Sequence, residues 1–455
     1  MEINLNIFRA YDIRGVYPSE LNEETAYLLG RAFPVFLRKK EKKKLNIVVG
    51  RDNRLSSEKL YKSLVRGIRE SGADAIDIGL STTPLTYFSV GYYGFDGGIQ
   101  ITASHNPGRY NGFKIVRAKA LPVSKDSGLM DLKNVMRKAK EGNVAVPPRK
   151  GSLKKINPLL KYVAFNLKGM RLKSKDSLKI AVDTANAVPG KVVPEFLEKI
   201  SCKPIYLFKK LDGRFPNHEP DPLIRKNLAS LCREVKRKKA DLGVAFDGDG
   251  DRIMFVDEKG SIIPADHISS LMSRILLEKN PGQKIFYDIR SSNIVKETIK
   301  EAGGIPVMGK VGHTFIKKSM RLQGILFAGE LSGHYYHRDH FFAECPLLVL
   351  RKVIERLQKE KKTMSELMDP FNKYFHSGEI NFKVKNKEKA LKAIEKKYKK
   401  GKLSYIDGIR CDFEDWWFSS RPSNTEPFLR LVIETNTKSL LKEKEKELKK
   451  LISGK

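Results

Sequence analysis

Short apolar runs alternate with amphipathic segments over most of this chain, and that alternation restricts the fold more than any single residue does. NIVVG (46–50), ADAIDIG (74–80) and GGIQITA (97–103) have the length and apolar content of strands, and SEKLYKSLVRGIRES between the first two has helical spacing. Such an order builds a mostly parallel sheet covered by helices. A Lys-, Gly- and Pro-containing stretch, 140–156, reads as a linker. The pattern then restarts, with LKIAVDT (178–184), KPIYLF (203–208) and ADLGVAF (240–246) as strands of a second α/β unit. KIFYDI (284–289), GIPVMG (304–309) and GILFAG (324–329) supply a third. Past about residue 370 the order becomes strand, basic helix, apolar strands and terminal helix, an α+β pattern. The fold class expected is α/β: three similar mixed α/β domains at 1–150, 151–254 and 255–368, then a smaller α+β domain at 369–455.

Charge raises a competing function class. The 455 residues carry 87 Lys and Arg against 53 Asp and Glu, a formal charge of +34. The lysines gather at 38–44, at 383–402 and in the final segment, interspersed with glutamate at helix-like spacing. That placement reads as solvated helix faces rather than a nucleic-acid groove, so no specific nucleic acid partner is expected. No run approaches the roughly 20 apolar residues of a membrane span, and the opening residues lack a secretory apolar core. A cytoplasmic protein without a membrane partner is expected. Cys202, Cys232, Cys345 and Cys411 are scattered, which suits reduced thiols rather than a zinc knuckle or disulfide framework.

Four segments carry chemistry. In AFDGDGDRIMFVD, Asp247, Asp249 and Asp251 alternate with Gly248 and Gly250, so the carboxylates can converge where the glycines permit tight bends. Three hard oxygen ligands suit Mg²⁺. Glu258 stands at the twelfth position of a calcium-loop count, but the sixth is Arg252 rather than Gly, and the flanks read as strands. Spacing alone leaves a solvated acidic turn open. In ITASHNPGRYNGFKI, Ser104 follows a strand and enters a turn with Asn106, Pro107 and Gly108. Its hydroxyl is expected on an exposed loop at the strand's carboxyl end, where α/β sheets bind ligands. His105 and Lys114 are near enough in sequence to move protons or balance phosphate charge.

The third segment, SSRPSNTEPFLR, places Arg421, Ser423, Asn424 and Thr425 within five positions, with Arg430 further on. A guanidinium, hydroxyls and turn N–H groups suit a phosphate dianion, and a polar β-turn is the competing reading. In the fourth, AGELSGHYYHRDH, Glu330 and Ser332 can hydrogen-bond adjacent hydroxyls. His334, His337 and His340 do not share a face on a strand or a helix, so a three-histidine metal site is rejected. His334 is a candidate proton-transfer or sugar contact.

Taken in order with FRAYDIRG (8–15), GRDNR (50–54), RFPNHEPDP (214–222) and KVGH (310–313), these segments resemble the α-D-phosphohexomutase family end to end, closest to bacterial and archaeal phosphomannomutase/phosphoglucomutase. The resemblance implies four domains around a central cleft. It implies a phosphoserine at Ser104 and Mg²⁺ held by Asp247, Asp249, Asp251 and a phosphate oxygen of Ser104. Arg252, Arg9 and Arg14 would line the phosphoserine side. Glu330 and Ser332 would take sugar hydroxyls, and Arg421, Ser423, Asn424 and Thr425 the phosphate not being transferred. His105, Lys114, Lys310, His313 and His334 are the proton-transfer or cleft-lining candidates. One departure is the Ala343-Glu344-Cys345-Pro346 stretch, where relatives often carry Asp-Asp-Gly or Asp-Gly. Pro346 is expected to open the next helix.

The implied activity is an isomerase that interconverts hexose 1- and 6-phosphates of mannose and glucose, with a hexose 1,6-bisphosphate as intermediate and activator. Small phosphosugars are the expected partners, acting on a monomer or dimer. Two alternatives are carried: a phosphoglucosamine mutase, disfavoured because Asn424 stands where that branch more often has Gly, and an inactive basic binding protein of the same fold.

Overall fold

The computed structural model describes residues 4–38, 44–145, 147–170, 177–384, 386–422 and 428–453. The chain divides into two compact units, 1–264 with 332–367, and 265–331 with 368–455.

In the first unit, strands Asn46–Arg51, Asp74–Leu80 and Gly97–Ile101 pair in parallel, as their apolar runs predict. Tyr110–Arg117 and then Ile13–Val16 extend this sheet antiparallel beyond Gly97–Ile101. The stretch read as a linker contributes Leu153–Lys155, which pairs in parallel with Asp74–Leu80. Helices Glu23–Leu37 and Ser57–Glu70 pack their backbones together through Gly30 and Gly67. A Cβ on Gly30 would collide with the Leu64 carbonyl and one on Gly67 with the Tyr27 carbonyl. Ile47, Val49, Ile99, Ile101 and Phe113 fill the core beneath these helices.

The second sheet of this unit runs Cys202–Leu207, Leu178–Asp183, Leu242–Phe246, Ile253–Val256 and Ile262–Ile263. Its first three strands are parallel, and Leu242–Phe246 turns back antiparallel onto Ile253–Val256 with Phe246 opposite Ile253. The six residues 247–252 therefore form a hairpin loop between two fully buried strands. Tyr335–His337 and Ala343–Glu344 form a further hairpin, and Pro346 opens helix Pro346–Glu360 at its first turn, as expected.

The second unit holds two sheets. Ile305–Gly309, Lys284–Asp288 and Phe327–Gly329 are parallel. GILFAG pairs only over its second half, because Gly324 ends helix His313–Gln323 with φ +66°. The other sheet is antiparallel, built on Ile409–Asp412, Trp416–Pro422 and Phe428–Thr435, with Ile380–Lys383 on the far side. Helices Lys387–Lys397 and Lys438–Ser453 supply Ile394, Leu448 and Ile452 to its core. Lys389, Lys392, Lys396 and Lys397 stay exposed, the solvated face that the sequence predicts. Arg38 is described, whereas 39–43 of the first lysine cluster lie outside the described residues. No described helix is long and apolar enough to cross a membrane. The four cysteines are free thiols, Cys345 and Cys411 buried and the other two half-buried.

Candidate active site

Two strand ends meet in the first unit. The turn after Gly97–Ile101 carries Ser104, and the hairpin loop 247–252 carries the three aspartates. Ser104 Oγ donates to Asp247 Oδ2 at 2.8 Å and lies 3.2 Å from His105 Nδ1. Because the hydroxyl proton goes to Asp247, the second contact is satisfied when His105 Nδ1–H donates to Oγ. Ser104 is 2% exposed, so the expectation of an exposed loop is corrected. The turn folds inward rather than outward: Arg54 binds its carbonyls from below, and Gly248 lies against the Ser104 carbonyl from above. Ser104 has φ +52°, a left-handed conformation that costs a non-glycine residue about 1 kcal/mol or more and recurs at functional sites.

The aspartate loop is locked by its own backbone. Asp247 Oδ1 accepts from the N–H groups of Asp251 (3.0 Å) and Arg252 (3.1 Å), and Gly250 supplies φ +68°. Asp247, Asp249 and Asp251 are all buried, and each offers a carboxylate oxygen within 4.8 Å of the others. They are the one such group among the described residues. Lys114 Nζ, from strand Tyr110–Arg117, donates to Asp249 Oδ2 at 2.6 Å and also to Asp251 Oδ2. Thr83 Oγ1 donates to the same Asp249 oxygen at 2.5 Å. The other oxygen, Asp249 Oδ1, is buried without a hydrogen-bond partner. A buried anionic oxygen in that condition fits a hard cation, and the all-oxygen donor set fits Mg²⁺. Burial and the neighbouring Asp251 and Asp249 charges push Asp247 well above the usual carboxylate range. Burial acts the same way on Asp251, but Lys114 and His334 outweigh it and hold that group low.

Cations complete the cluster. Arg252 lies 3.9 Å from Asp247 and 3.7 Å from Asp221. His334 Nε2 is 3.1 Å from Asp251 Oδ1, and its Nδ1 is 2.9 Å from Ser332 Oγ. Arg14 donates to Asn106 Oδ1 at 2.6 Å and so reaches the Ser104 turn, whereas Arg9 is exposed. Burial, then the positive charges of Arg252, Arg14 and Lys114, hold His105 well below the usual imidazole range, so it is neutral. His337 and His340 serve packing and local bonds: His337 Nδ1 accepts from the Asp339 N–H, and His340 pairs with Asn166. Glu258 binds Ser365 rather than the aspartate loop, in keeping with the rejected calcium reading.

The second unit gathers the opposite charge. Arg421 and Arg430 face each other across paired strands, an arrangement of like charges that disfavours pairing. Glu379 offsets it, accepting from Arg421 (3.1 Å), Arg430 (3.0 Å) and Arg290 (3.3 Å). Arg290 also forks onto Asp288 at 3.0 and 2.8 Å. Glu330 is buried and accepts from the Gly312 N–H at 3.1 Å. His313 opens helix His313–Gln323, and Lys310 is exposed, 6.0 Å from the Phe315 ring. Ser423, Asn424 and Thr425 lie outside the described residues. Sequence reading missed Arg54, Thr83, Arg290 and Glu379. Only Arg54 stood in a quoted motif, and the others touch the site through pairings that no local pattern announces.

An acidic metal-type cluster beside a buried serine, and a separate arginine cluster, define a phosphoryl-handling enzyme. The chain matches the phosphoglucomutase/phosphomannomutase α/β/α domains I, II and III over residues 5–142, 159–260 and 264–374, and the C-terminal domain over 379–451. It is 40% identical to a phosphomannomutase of Methanocaldococcus jannaschii over 455 residues, covering 99% of this chain and 98% of that one. It is 38% identical to a phosphomannomutase/phosphoglucomutase of Pseudomonas syringae, covering 96% and 92%. A crystal structure of a phosphoglucomutase/phosphomannomutase family protein from Burkholderia thailandensis superposes with a TM-score of 0.90 at 30% identity, covering 100% of this chain and 98% of that one. The chain belongs to the phosphoglucomutase/phosphomannomutase family of phosphohexomutases, and it is an isomerase of hexose phosphates.

Proposed function

We propose that this enzyme interconverts the 1- and 6-phosphates of mannose and glucose through phosphorylated Ser104 and a hexose 1,6-bisphosphate. The observation that carries this reading is the 2.8 Å bond from Ser104 Oγ to Asp247 inside the buried aspartate triad. A serine oxygen held against that triad supports the reading of a phosphoryl carrier beside a metal. Asp247, Asp249, Asp251 and Ser104 would hold Mg²⁺, which supplies charge stabilisation to the transferring group when bound.

The chain's own residues do the rest. Transfer breaks the bond between Ser104 Oγ and phosphorus as a sugar hydroxyl oxygen bonds to phosphorus. The hydroxyl proton leaves to a base, and the released Ser104 Oγ takes up a proton. A second transfer returns the other phosphoryl group of the bisphosphate to Ser104 by the reverse steps. Neutral His105, with Lys114 and His334 on the aspartate oxygens, are the proton-handling groups. Arg252 and Arg14 offset phosphoryl charge. Glu330 and Ser332 are assigned to sugar hydroxyls. Arg421, Arg430 and residues 423–425 are assigned to the phosphate that stays on the sugar, and Lys310 and His313 to lining it. These assignments rest on the family resemblance.

Incubation with glucose 1,6-bisphosphate followed by peptide mass spectrometry tests the carrier. One phosphate on Ser104 is expected, and full turnover by Ser104→Ala would overturn the reading. Mannose and glucose 1-phosphates should be used within about a hundredfold of each other in kcat/KM, since a larger gap needs roughly 2.7 kcal/mol of reading at C2. Glucosamine 1-phosphate in the same assay tests the alternative branch. No turnover of any of the three would leave the binding-protein reading.

A further inference from the structure

Arg54 reaches Ser104 without touching any group that reacts. Its side chain is 0% exposed and pairs with Asp52, whose carboxylate is fixed by the Ser57 hydroxyl at 2.6 Å and the Arg54 N–H at 3.0 Å. All five guanidinium N–H groups are used. Nε donates to Asp52 Oδ2 (3.1 Å), Nη1 to the carbonyls of Pro107 (2.8 Å) and Tyr110 (3.1 Å), and Nη2 to those of Ser104 (2.7 Å) and Asn106 (2.7 Å). Four carbonyl oxygens of one turn thus point at one buried cation.

The turn's geometry depends on that cation. Four converging carbonyl dipoles repel one another unless a positive charge sits at their focus, and Ser104 is in the left-handed region that non-glycine residues avoid. On the other side of the Ser104 carbonyl lies Gly248, where an added Cβ would stand 2.4 Å from the oxygen, closer than van der Waals contact allows. The carbonyl is therefore clamped between Arg54 and the aspartate loop, and this fixes the direction in which Oγ meets Asp247.

We propose that Arg54 is a positioning residue for phosphoryl transfer: its guanidinium holds the Ser104 turn inverted, so that Oγ is aimed at the aspartate cluster. This rests on the reading of Ser104 as the phosphoryl carrier. Lysine cannot replace it, because an ammonium has three donors and no planar fork for five acceptors.

Purified wild type, Arg54→Lys and Gly248→Ala are compared in steady-state kinetics with mannose 1-phosphate and in single-turnover phosphorylation of Ser104 by glucose 1,6-bisphosphate. Misaiming by about 1 Å costs on the order of a hundredfold in rate. Arg54→Lys should therefore lose about a hundredfold in kcat and in the phosphorylation rate, with KM within about threefold, because it leaves the groups assigned to the substrate intact. Folding is checked by circular dichroism and melting temperature. A folded Arg54→Lys with wild-type kcat, or with its loss confined to KM, overturns the proposal. If Arg54→Lys does not fold, Gly248→Ala carries the test by displacing the same carbonyl from the other side, and wild-type kcat there overturns the proposal equally. A wild type that takes no phosphate on Ser104 refutes the carrier reading itself. A wild type that is phosphorylated no faster than Arg54→Lys refutes only the role of Arg54.

Discussion

The Ser104 region of the first unit and the Glu379 region of the second are both buried charge clusters, and they differ in which charge converges at the centre. Around Ser104, Asp247, Asp249, Asp251 and Asp221 face two permanent cations, Lys114 and Arg252, with His334 alongside. Around Glu379, three arginines converge on Glu379, with Asp288 on Arg290 and Asp407 4.0 Å from Arg421. Carboxylates outnumber cations in the first, and in the second three guanidinium groups converge on the one carboxylate of Glu379. Taking charge out of water is costly unless it is matched, so converging carboxylates favour a cation and converging guanidinium groups an anion. A divalent cation suits the first and a phosphate suits the second.

The largest effect should come from breaking the acidic side. Asp249→Asn keeps the shape of the side chain and removes one negative charge, and with it an anionic oxygen that has no partner of its own. Turnover should fall by at least about a hundredfold, the scale of losing a strong electrostatic contact at a reacting group. The protein should stay folded, and Mg²⁺ should raise its melting temperature less than it raises that of wild type. Melting curves with and without Mg²⁺, run beside the kinetic assay, check both halves. An unchanged Mg²⁺ effect on melting would remove Asp249 from the metal site.

On the basic side, Glu379→Gln sharpens the comparison by removing the carboxylate on which three arginines converge. Burial alone would raise the Glu379 pKa, but Arg290, Arg421 and Arg430 outweigh it and hold the group below the usual glutamate range. At neutral pH it is a full negative charge that a bound phosphate must share. The glutamine variant should be less stable without ligand and should recover more on adding inorganic phosphate, with binding tightened roughly tenfold, about 1.4 kcal/mol. Thermal shift titrations with phosphate and with sulfate measure it. Equal phosphate-induced shifts in variant and wild type would show that Glu379 does not compete for the arginines.

These two clusters also differ in how far the sequence announces them. The aspartates lie within five residues on a loop whose flanking runs, LGVAF and IMFV, are apolar enough to require burial, so both the strands and the convergence were legible. The arginine cluster needs a register: Arg421 opposite Arg430 is a consequence of strand pairing, and Arg290 and Glu379 come from separate stretches of chain. The burial of Ser104 was misread for a related reason. Asn, Pro and Gly in a turn signal solvent in general, and here a guanidinium some fifty residues upstream supplies the hydrogen bonds that water would otherwise make. The linker reading of 140–156 likewise missed Leu153–Lys155, whose side chains are exposed and whose pairing rests on the backbone ladder and one ion pair, Lys154 to Asp74 at 3.3 Å.

A balanced pair provides the control for both clusters, and it carries the smallest predicted effect. His218 Nε2 faces Asp183 at 3.1 and 3.3 Å, and its Nδ1 faces the Glu219 carbonyl at 2.8 Å. Both ring nitrogens point at acceptors, the arrangement that an imidazolium satisfies and a neutral ring cannot. Burial works against the charged ring, but the Asp183 hydrogen bond and charge and the Glu219 carbonyl together exceed it, and the pKa is raised. The raised value fixes the sign: the folded state binds the proton more tightly than the unfolded chain, so the stabilisation is complete below the ordinary imidazole pKa of about 6.5 and is lost as pH climbs through the folded value. His218→Gln keeps one amide donor but cannot acquire the charge. Its deficit should be about 1.5 kcal/mol at pH 6, the scale of a charge-assisted hydrogen bond, and should shrink by pH 8.5. Because the charges already match, neither Mg²⁺ nor phosphate should alter that deficit. Melting temperatures of the two proteins at both pH values, each with and without the two ions, measure it, and a deficit that is constant or grows with pH would mean that His218 is neutral in the folded protein.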